Sequence, residues 1–176
     1  SVGRVLHHRS SIFLNHWLIA KTGEEIVARE VFNRFKRFCD NDTEQPMSTL
    51  LPRLSKAADV YRQFVEAGDN LAGPIDRIGL FAYRTGTMES EVIKPLLLYL
   101  LDPEAPVIPK VSLVKALDVI ESWMVRRMLV RATTQSYTQV VAELVTLLQS
   151  SDRQMAGEVI EQYFVDQSGA RGFWPD

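Results

Sequence analysis

The chain has 176 residues, of which 46% are hydrophobic and 24% are charged, and its formal net charge is −2. This composition is ordinary for a soluble globular protein, and the length suffices for one domain with a sizeable core. The near-neutral charge excludes the basic field over the whole surface that strong non-specific nucleic-acid binding requires, but a local basic patch remains open.

Three further features predict the compartment and the context of the chain. Cys39 is the only cysteine, so no internal disulfide can form, which suits a reducing cytoplasm. No apolar run reaches the ~18 residues that a membrane span needs, and the start has no signal-peptide pattern. We therefore expect a cytoplasmic protein with no membrane partner. Because the chain opens with SVGRVLHH, without an initiator methionine, it is expected to be a fragment of a larger multidomain protein.

Hydrophobic spacing predicts an all-α fold, because no segment alternates over a full strand length. A single domain of about eight helices is expected, over residues 4–20, 24–39, 48–67, 74–83, 90–101, 112–132, 137–149 and 152–165. Thr22 and Glu25 match a capping box that would begin the second helix, and Ser112 is a good N-cap for the sixth. Pro95 must either start the fifth helix or kink it.

The sixth helix, 112–132, is expected at the centre of the domain. Its main apolar stripe is formed by Leu113, Leu117, Ile120, Met124 and Met128. Val114, Val125 and Leu129 add apolar surface on the far side of the same helix. A helix that is apolar nearly all round is usually surrounded by others, so we expect neighbouring helices on several of its sides.

Arg127 projects into the apolar stripe of this helix, and Arg131 falls in line with Leu113. A guanidinium cannot lose its proton, so a buried one must meet a carboxylate, backbone carbonyls or an anion. One interpretation is that an acidic residue of a neighbouring helix holds Arg127. The other is that Arg127 meets a ligand or a missing domain.

The common motifs of catalysis and cofactor binding are absent from the sequence. It has neither G-x-x-x-x-G-K-S/T nor G-x-G-x-x-G, so no phosphate-binding loop is indicated. His7, His8 and His16 are its only histidines. His8 and His16 stand ~12 Å apart along one helix, too far to share a zinc ion, and the count excludes an HNH-type nuclease centre within this chain. We therefore predict no catalytic residue, metal or cofactor in this segment.

Basic residues with aromatic neighbours are the one suggestive combination. They occur at Phe32, Arg34, Phe35, Lys36, Arg37 and Phe38, and again from Trp123 to Arg131. In the first stretch, an amphipathic helix with its charges in water is one explanation. Contact with a DNA backbone is the other.

Four stretches of the chain resemble one known family. They are FLNHWLIAKTGEEIVAREVFNRFKRF at Phe13 to Phe38, PLLLYLLD at Pro95 to Asp102, LDVIESWMVRRMLVRATTQSYTQVVAELV at Leu117 to Val145, and the terminal FWPD. Together they are similar to the helical part of GmrSD-type proteins, which are large bacterial modification-dependent restriction proteins. The ESWMVRR core with the T-T-x-S-Y turn that follows it is the most specific part.

The resemblance implies a parent protein of three parts. An N-terminal ParB/sulfiredoxin-like domain with a D-G-Q-Q-R motif hydrolyses nucleotide, this helical region follows, and a C-terminal HNH-like nuclease domain is often present. Neither D-G-Q-Q-R nor a nuclease histidine motif occurs here, so no catalytic residue carries over. The residues that match the family's helical signature, with an implied structural role, are Glu121, Trp123, Arg126, Arg127 and Tyr137. Arg131 and Trp174 are further candidates for structural or interaction roles.

What the resemblance implies for this chain is a non-catalytic helical module of an anti-phage restriction endonuclease. The module would link or regulate the nucleotide-hydrolysing and nuclease domains, which are its expected partners, and DNA is a further candidate partner. The alternative is a free-standing helical module for protein–protein interaction, with the tail at Phe173 and Trp174 and the Arg127 pocket as its contacts.

Overall fold

A computed structural model describes residues 2–43, 45–69, 76–88, 91–131 and 136–167. Within these ranges it contains eight α-helices and no β-strand, so the predicted all-α class is confirmed. The helices are α1 (Val2–Thr22), α2 (Val31–Arg37), α3 (Met47–Asp69), α4 (Arg77–Thr87), α5 (Lys94–Leu100), α6 (Lys110–Leu129), α7 (Tyr137–Gln149) and α8 (Ala156–Asp166). Short 3₁₀ turns at Ala28–Glu30, Glu91–Ile93 and Arg153–Met155 and a π-helical turn at Phe38–Asp42 lie between them.

The helices pack around one continuous apolar core. α6 packs most extensively with α8 and also contacts α4, which itself lies against α3. α1 contacts α2, α3, α5 and α7, and α7 also contacts α5 and α8. The inner faces of α5 and α7 are lined by leucine and valine, namely Leu96, Leu97, Leu98, Val140, Val141, Leu144 and Leu148. None of the described helices is both long enough and apolar enough to cross a membrane.

The predicted N-cap of α6 is wrong, and its hydroxyl serves a different helix. α6 begins at Lys110 with Pro109 in the cap position, so Ser112 lies inside the helix. The buried Ser112 hydroxyl oxygen accepts a hydrogen bond of 2.9 Å from the Gly157 backbone N–H, in the first turn of α8. The first N–H groups of a helix have no partner within it, so Ser112 satisfies one of these donors and joins α6 to α8.

The predicted capping box before α2 is also wrong. Thr22 belongs to α1, where its hydroxyl donates to a carbonyl of the preceding turn. Gly23, with φ of +67°, ends α1, and its N–H donates to the Ile19 carbonyl at 2.8 Å. Residues 23–27 are not helical, and α2 spans only Val31–Arg37. Because glycine adopts the left-handed conformation without strain, the stop signal at Gly23 outweighs the start signal around it.

α4 begins and ends later than its sequence predicted. Asp76 is its N-cap, and the Asp76 carboxylate accepts a hydrogen bond of 2.7 Å from the Gly79 N–H. Gly86, expected beyond the end of the helix, lies inside it. Pro74, expected at its start, lies outside the described residues.

Pro95 lies in the first turn of α5, which decides between the two roles that the sequence left open. A proline is tolerated there because its missing N–H would have no partner within the helix. Arg153 caps the other end of α5, since its guanidinium donates to the carbonyls of Tyr99 at 2.9 Å and Leu100 at 3.0 Å. Arg153 also donates to the Pro106 carbonyl at 2.6 Å, so the connector after α5 is fixed to the turn before α8.

Candidate functional site

Two residues of α6 form a buried cluster with one aromatic residue of α7 and one of α8. The rings of Trp123 and Tyr137 have centroids 4.9 Å apart, and the Phe164 ring stacks on Trp123 at 4.7 Å. The Arg127 guanidinium lies 5.2 Å from the Trp123 centroid and 4.9 Å from the Tyr137 centroid. Arg127 is 0% exposed, so three helices meet around a buried cation. We call these four residues the Arg127 cluster.

The burial of Arg127, expected from its place on the apolar stripe, is confirmed. A cation over an aromatic face is attracted by the charge distribution of the ring, and more strongly where water is excluded. The two rings thus replace part of the stabilisation that water would give the charge. That an acidic residue of a neighbouring helix holds Arg127 stays a prediction, as does the interpretation that involves a ligand or another domain.

The other two arginines singled out near the end of α6 lie outside this cluster. Arg126 is half-buried, and its Nη1 donates to the Ser122 hydroxyl oxygen at 2.6 Å within α6. Arg131 is exposed and has a φ of 54°, so the chain has already left the helix at this residue. The expected alignment of Arg131 with Leu113 is therefore wrong, because α6 ends at Leu129.

Glu121 faces α4 and joins it to α6. Its carboxylate accepts hydrogen bonds from Arg77 Nη2 at 2.9 Å and from Arg84 Nη1 at 2.5 Å. Arg77 also donates through Nε to Asp118 at 2.9 Å. The Glu121 side chain is only 12% exposed, so water screens these ion pairs less than it screens fully exposed ones. Glu121 thus positions two helices relative to each other.

The structure unites only some of the predicted site residues. Trp123, Arg127 and Tyr137 lie together, whereas Glu121 lies on the face toward α4. Trp174 lies outside the described residues, as does the rest of the tail. No single surface therefore gathers the whole predicted set within the described part of the chain.

A groove that no sequence motif indicated opens beside α3. It consists of two clefts with volumes of about 740 Å³ and about 410 Å³. Both clefts are lined by Val65, Asp69, Glu91 and Lys94, so they adjoin. The larger cleft reaches α1 at Phe13, and the smaller one reaches α4. We call the two together the α3 groove.

The α3 groove has an aromatic floor and one fixed cation. Lys94 Nζ donates to both Glu91 carboxylate oxygens at 2.6 and 2.7 Å and lies 5.3 Å from the Tyr61 ring centroid. The Phe13 ring packs edge-on against Tyr61 at 5.3 Å. The Tyr61 hydroxyl shares a hydrogen bond of 3.0 Å with His16 Nδ1. Burial raises the pKa of Tyr61, so its hydroxyl stays protonated.

The pKa of His16 is lowered to about 4, mainly because burial disfavours the charged imidazolium. The Glu91 carboxylate raises this pKa and the Lys94 ammonium lowers it, both with smaller effects than burial. In the unfolded chain, His16 titrates near its ordinary value of 6.5. Between these two pKa values, the unfolded chain binds a proton that the folded chain does not bind. The contribution of His16 therefore lowers stability progressively as the pH falls from about 6.5 to about 4.

His16→Gln is expected to remove this acid sensitivity. The quantity to compare is the free energy of unfolding of the variant minus that of wild type. This difference should be about 2 to 3 kcal/mol more favourable to the variant at a pH of about 4.5 than at a pH of about 7.5. Urea unfolding of both proteins at the two pH values measures this change. Tyr61→Phe is the matched control, because it removes the same hydrogen bond and leaves the imidazole to titrate. A wild-type-to-variant difference for His16→Gln that stays constant with pH would contradict the assignment.

The described residues offer little basis for a metal site or a reactive cysteine. Among them, no three His, Cys, Asp or Glu side chains are grouped so as to hold a metal ion. Burial, and to a smaller extent Asp40, raises the pKa of the Cys39 thiol, which disfavours the reactive thiolate. The absence of a cofactor and of catalytic residues from the whole segment stays a prediction.

Similarity to known proteins does not decide the family of this chain. The resemblance to GmrSD-type proteins rests on the sequence segments quoted above alone, so it stays a prediction. Comparisons of the chain with protein-family models, with curated proteins and with solved structures found no match.

Proposed function

We propose that this chain is a non-catalytic helical module of a GmrSD-type restriction protein. It links or regulates the nucleotide-hydrolysing and nuclease domains of that protein, and it contacts DNA. The parent protein acts in the bacterial cytoplasm as a nucleotide-dependent endonuclease against phage DNA.

The observation that carries this proposal is the use of the α6 signature residues in packing. Trp123, Arg127 and Tyr137 hold α6 against α7 and α8, and Glu121 holds it to α4. Side chains that are committed to helix packing are not available to a substrate. A bundle that is fixed in this way is suited to holding two attached domains at a defined separation.

The DNA contact in this proposal is assigned to the exposed face of α2. Phe32 is 69% exposed, and Lys36, one helical turn later, is exposed on the same side. Arg37 is exposed beside them, whereas Arg34 is buried and donates to both Glu24 carboxylate oxygens at 2.7 and 3.0 Å. Exposed cations can neutralise phosphates, and an exposed ring can stack on a base.

Replacing Lys36 and Arg37 together with alanine is expected to weaken binding to duplex DNA. The slope of log K against log salt should fall in magnitude by about 2, because two phosphate contacts are lost. Fluorescence anisotropy with a labelled duplex at several salt concentrations measures this slope. The matched control is Lys56→Ala with Lys110→Ala, which removes the same charge from exposed positions elsewhere. Its slope should lie closer to the wild-type slope than the slope of the α2 variant does. An unchanged slope in the α2 variant, or no binding by wild type at low salt, contradicts the DNA contact.

The linking role is tested on the source gene. Sequencing on both sides of the segment that encodes this chain is expected to show a D-G-Q-Q-R motif upstream, with or without a histidine-containing nuclease segment downstream. A start codon and a stop codon at the ends of the segment would overturn the linking role.

The alternative function is a free-standing module for protein–protein interaction. It is favoured by an apolar surface where α6 ends, since Met128, Leu129 and Val130 are 55%, 74% and 52% exposed. Exposed apolar patches often mark protein contacts. Tight, salt-insensitive binding of a protein from the same cell, without DNA binding, would favour this alternative over the first.

A further inference from the structure

The α3 groove has the size of a small-molecule site. Its two clefts, of about 740 Å³ and about 410 Å³, each fall within the range of typical ligand pockets. Phe13 and Tyr61 form an edge-on ring pair in the larger cleft, and Val65 lines both clefts. Where α3 meets α4, Gly68 and Gly86 line the smaller cleft and place no side chain in it.

The charges of the groove favour a cationic occupant. Lys94 is already held by both Glu91 oxygens, and Arg62 is held by Asp59 at 3.2 Å. The C-terminal half of α3 adds Glu66 and Asp69 to the lining of the larger cleft, and both residues are exposed. Within the described part of the chain, neither of these two carboxylates forms an ion pair. The groove therefore offers two carboxylates beside an aromatic floor.

We propose that the α3 groove binds a small organic cation, an ammonium group on an apolar body. The ammonium lies at Glu66 and Asp69, and the apolar body lies against Phe13 and Tyr61. Lys94 repels a second cation, so it directs the ammonium toward the carboxylates of α3. Apolar contact with the rings supplies binding energy, and the carboxylates supply selectivity for the positive charge. The site is separate from the Arg127 cluster and does not depend on the proposed restriction role.

Isothermal titration of the chain with three probes of similar shape tests this inference. The probes are 2-phenylethylamine, which is protonated at neutral pH, the neutral 2-phenylethanol and the anionic 3-phenylpropionate. We expect the amine to bind with a Kd of about 1 mM or tighter. Its affinity should exceed that of the alcohol by about fivefold or more, and the acid should bind most weakly.

Variants of the groove separate charge recognition from simple apolar binding. Glu66→Gln with Asp69→Asn should weaken binding of the amine by about fivefold and leave binding of the alcohol unchanged. Glu25→Gln with Glu30→Gln is the matched control, because it removes the same charge from exposed positions outside the groove and should change neither affinity. Val65→Trp fills both clefts and should abolish binding of all three probes. Thermal unfolding of the Val65→Trp variant shows whether this variant folds. If it does not fold, the charge variants alone decide the binding test.

Four results would overturn the proposal. They are no binding of the amine at concentrations of about 1 mM, equal affinity for the amine and the alcohol, tighter binding of the acid, or unchanged affinity for the amine in the double charge variant. Tighter binding of the acid would instead assign the groove to anions held by Lys94.

Discussion

Replacing Gly157 with alanine is expected to lower the free energy of unfolding by about 3 kcal/mol. A Cβ at this position would lie 2.5 Å from the Ser112 carbonyl oxygen and 2.9 Å from the Lys115 Cβ. These atoms belong to the backbone of α6 or are attached directly to it, so no rotamer change can move them away. α6 and α8 must therefore separate, which disturbs the packing of Ala116 and Ile160, both fully buried.

Gly86→Ala is the matched control for this substitution. Gly86 is also helical, but the nearest atom to its added Cβ lies 4.0 Å away. Alanine is the better helix former, so we expect this variant to gain up to about 1 kcal/mol. Urea unfolding followed by circular dichroism compares the two variants with wild type. If both variants lost the same stability, the close approach at Gly157 would not be the cause.

The Ser112 contact also shows why helix ends were harder to predict than the helices themselves. The sequence predicts α7 at 137–149 and the helix spans Tyr137–Gln149, because its apolar residues recur at helical spacing to both ends. The local sequence alone predicts Ser112 as a cap. Its hydroxyl instead accepts from Gly157, which lies 45 residues away, and local patterns contain no information on such a neighbour.

The candidate sites divide in the same way. The burial of Arg127 could be predicted, because its place on the helical wheel depends only on its own helix. The ring of Phe164 that completes the cluster comes from α8 and could not be predicted. Phe13, Tyr61 and Lys94 come from three different helices, so the α3 groove leaves no local spacing in the sequence. Only the packing of the helices creates this groove.

Arg127→Met is expected to cost about 3 kcal/mol of unfolding free energy. Methionine retains much of the side-chain volume, and its sulfur makes favourable contacts with Trp123 and Tyr137 that are worth about 1 kcal/mol. The variant loses the attraction between the charge and the two ring faces, which is about 2 kcal/mol for each face where water is excluded.

Arg126→Met is the matched control, because it makes the same side-chain change at the preceding residue of α6. The Arg126 guanidinium is half-buried and donates to Ser122 within the helix, so this variant should lose less than about 1 kcal/mol. Thermal and urea unfolding of both variants gives the two losses. An Arg127→Met variant that melts like wild type would contradict the packing role. If removal of the buried cation left the stability of the isolated chain unchanged, the charge would have to be stabilised from outside the chain. Contact with a ligand or another domain would then be the favoured interpretation.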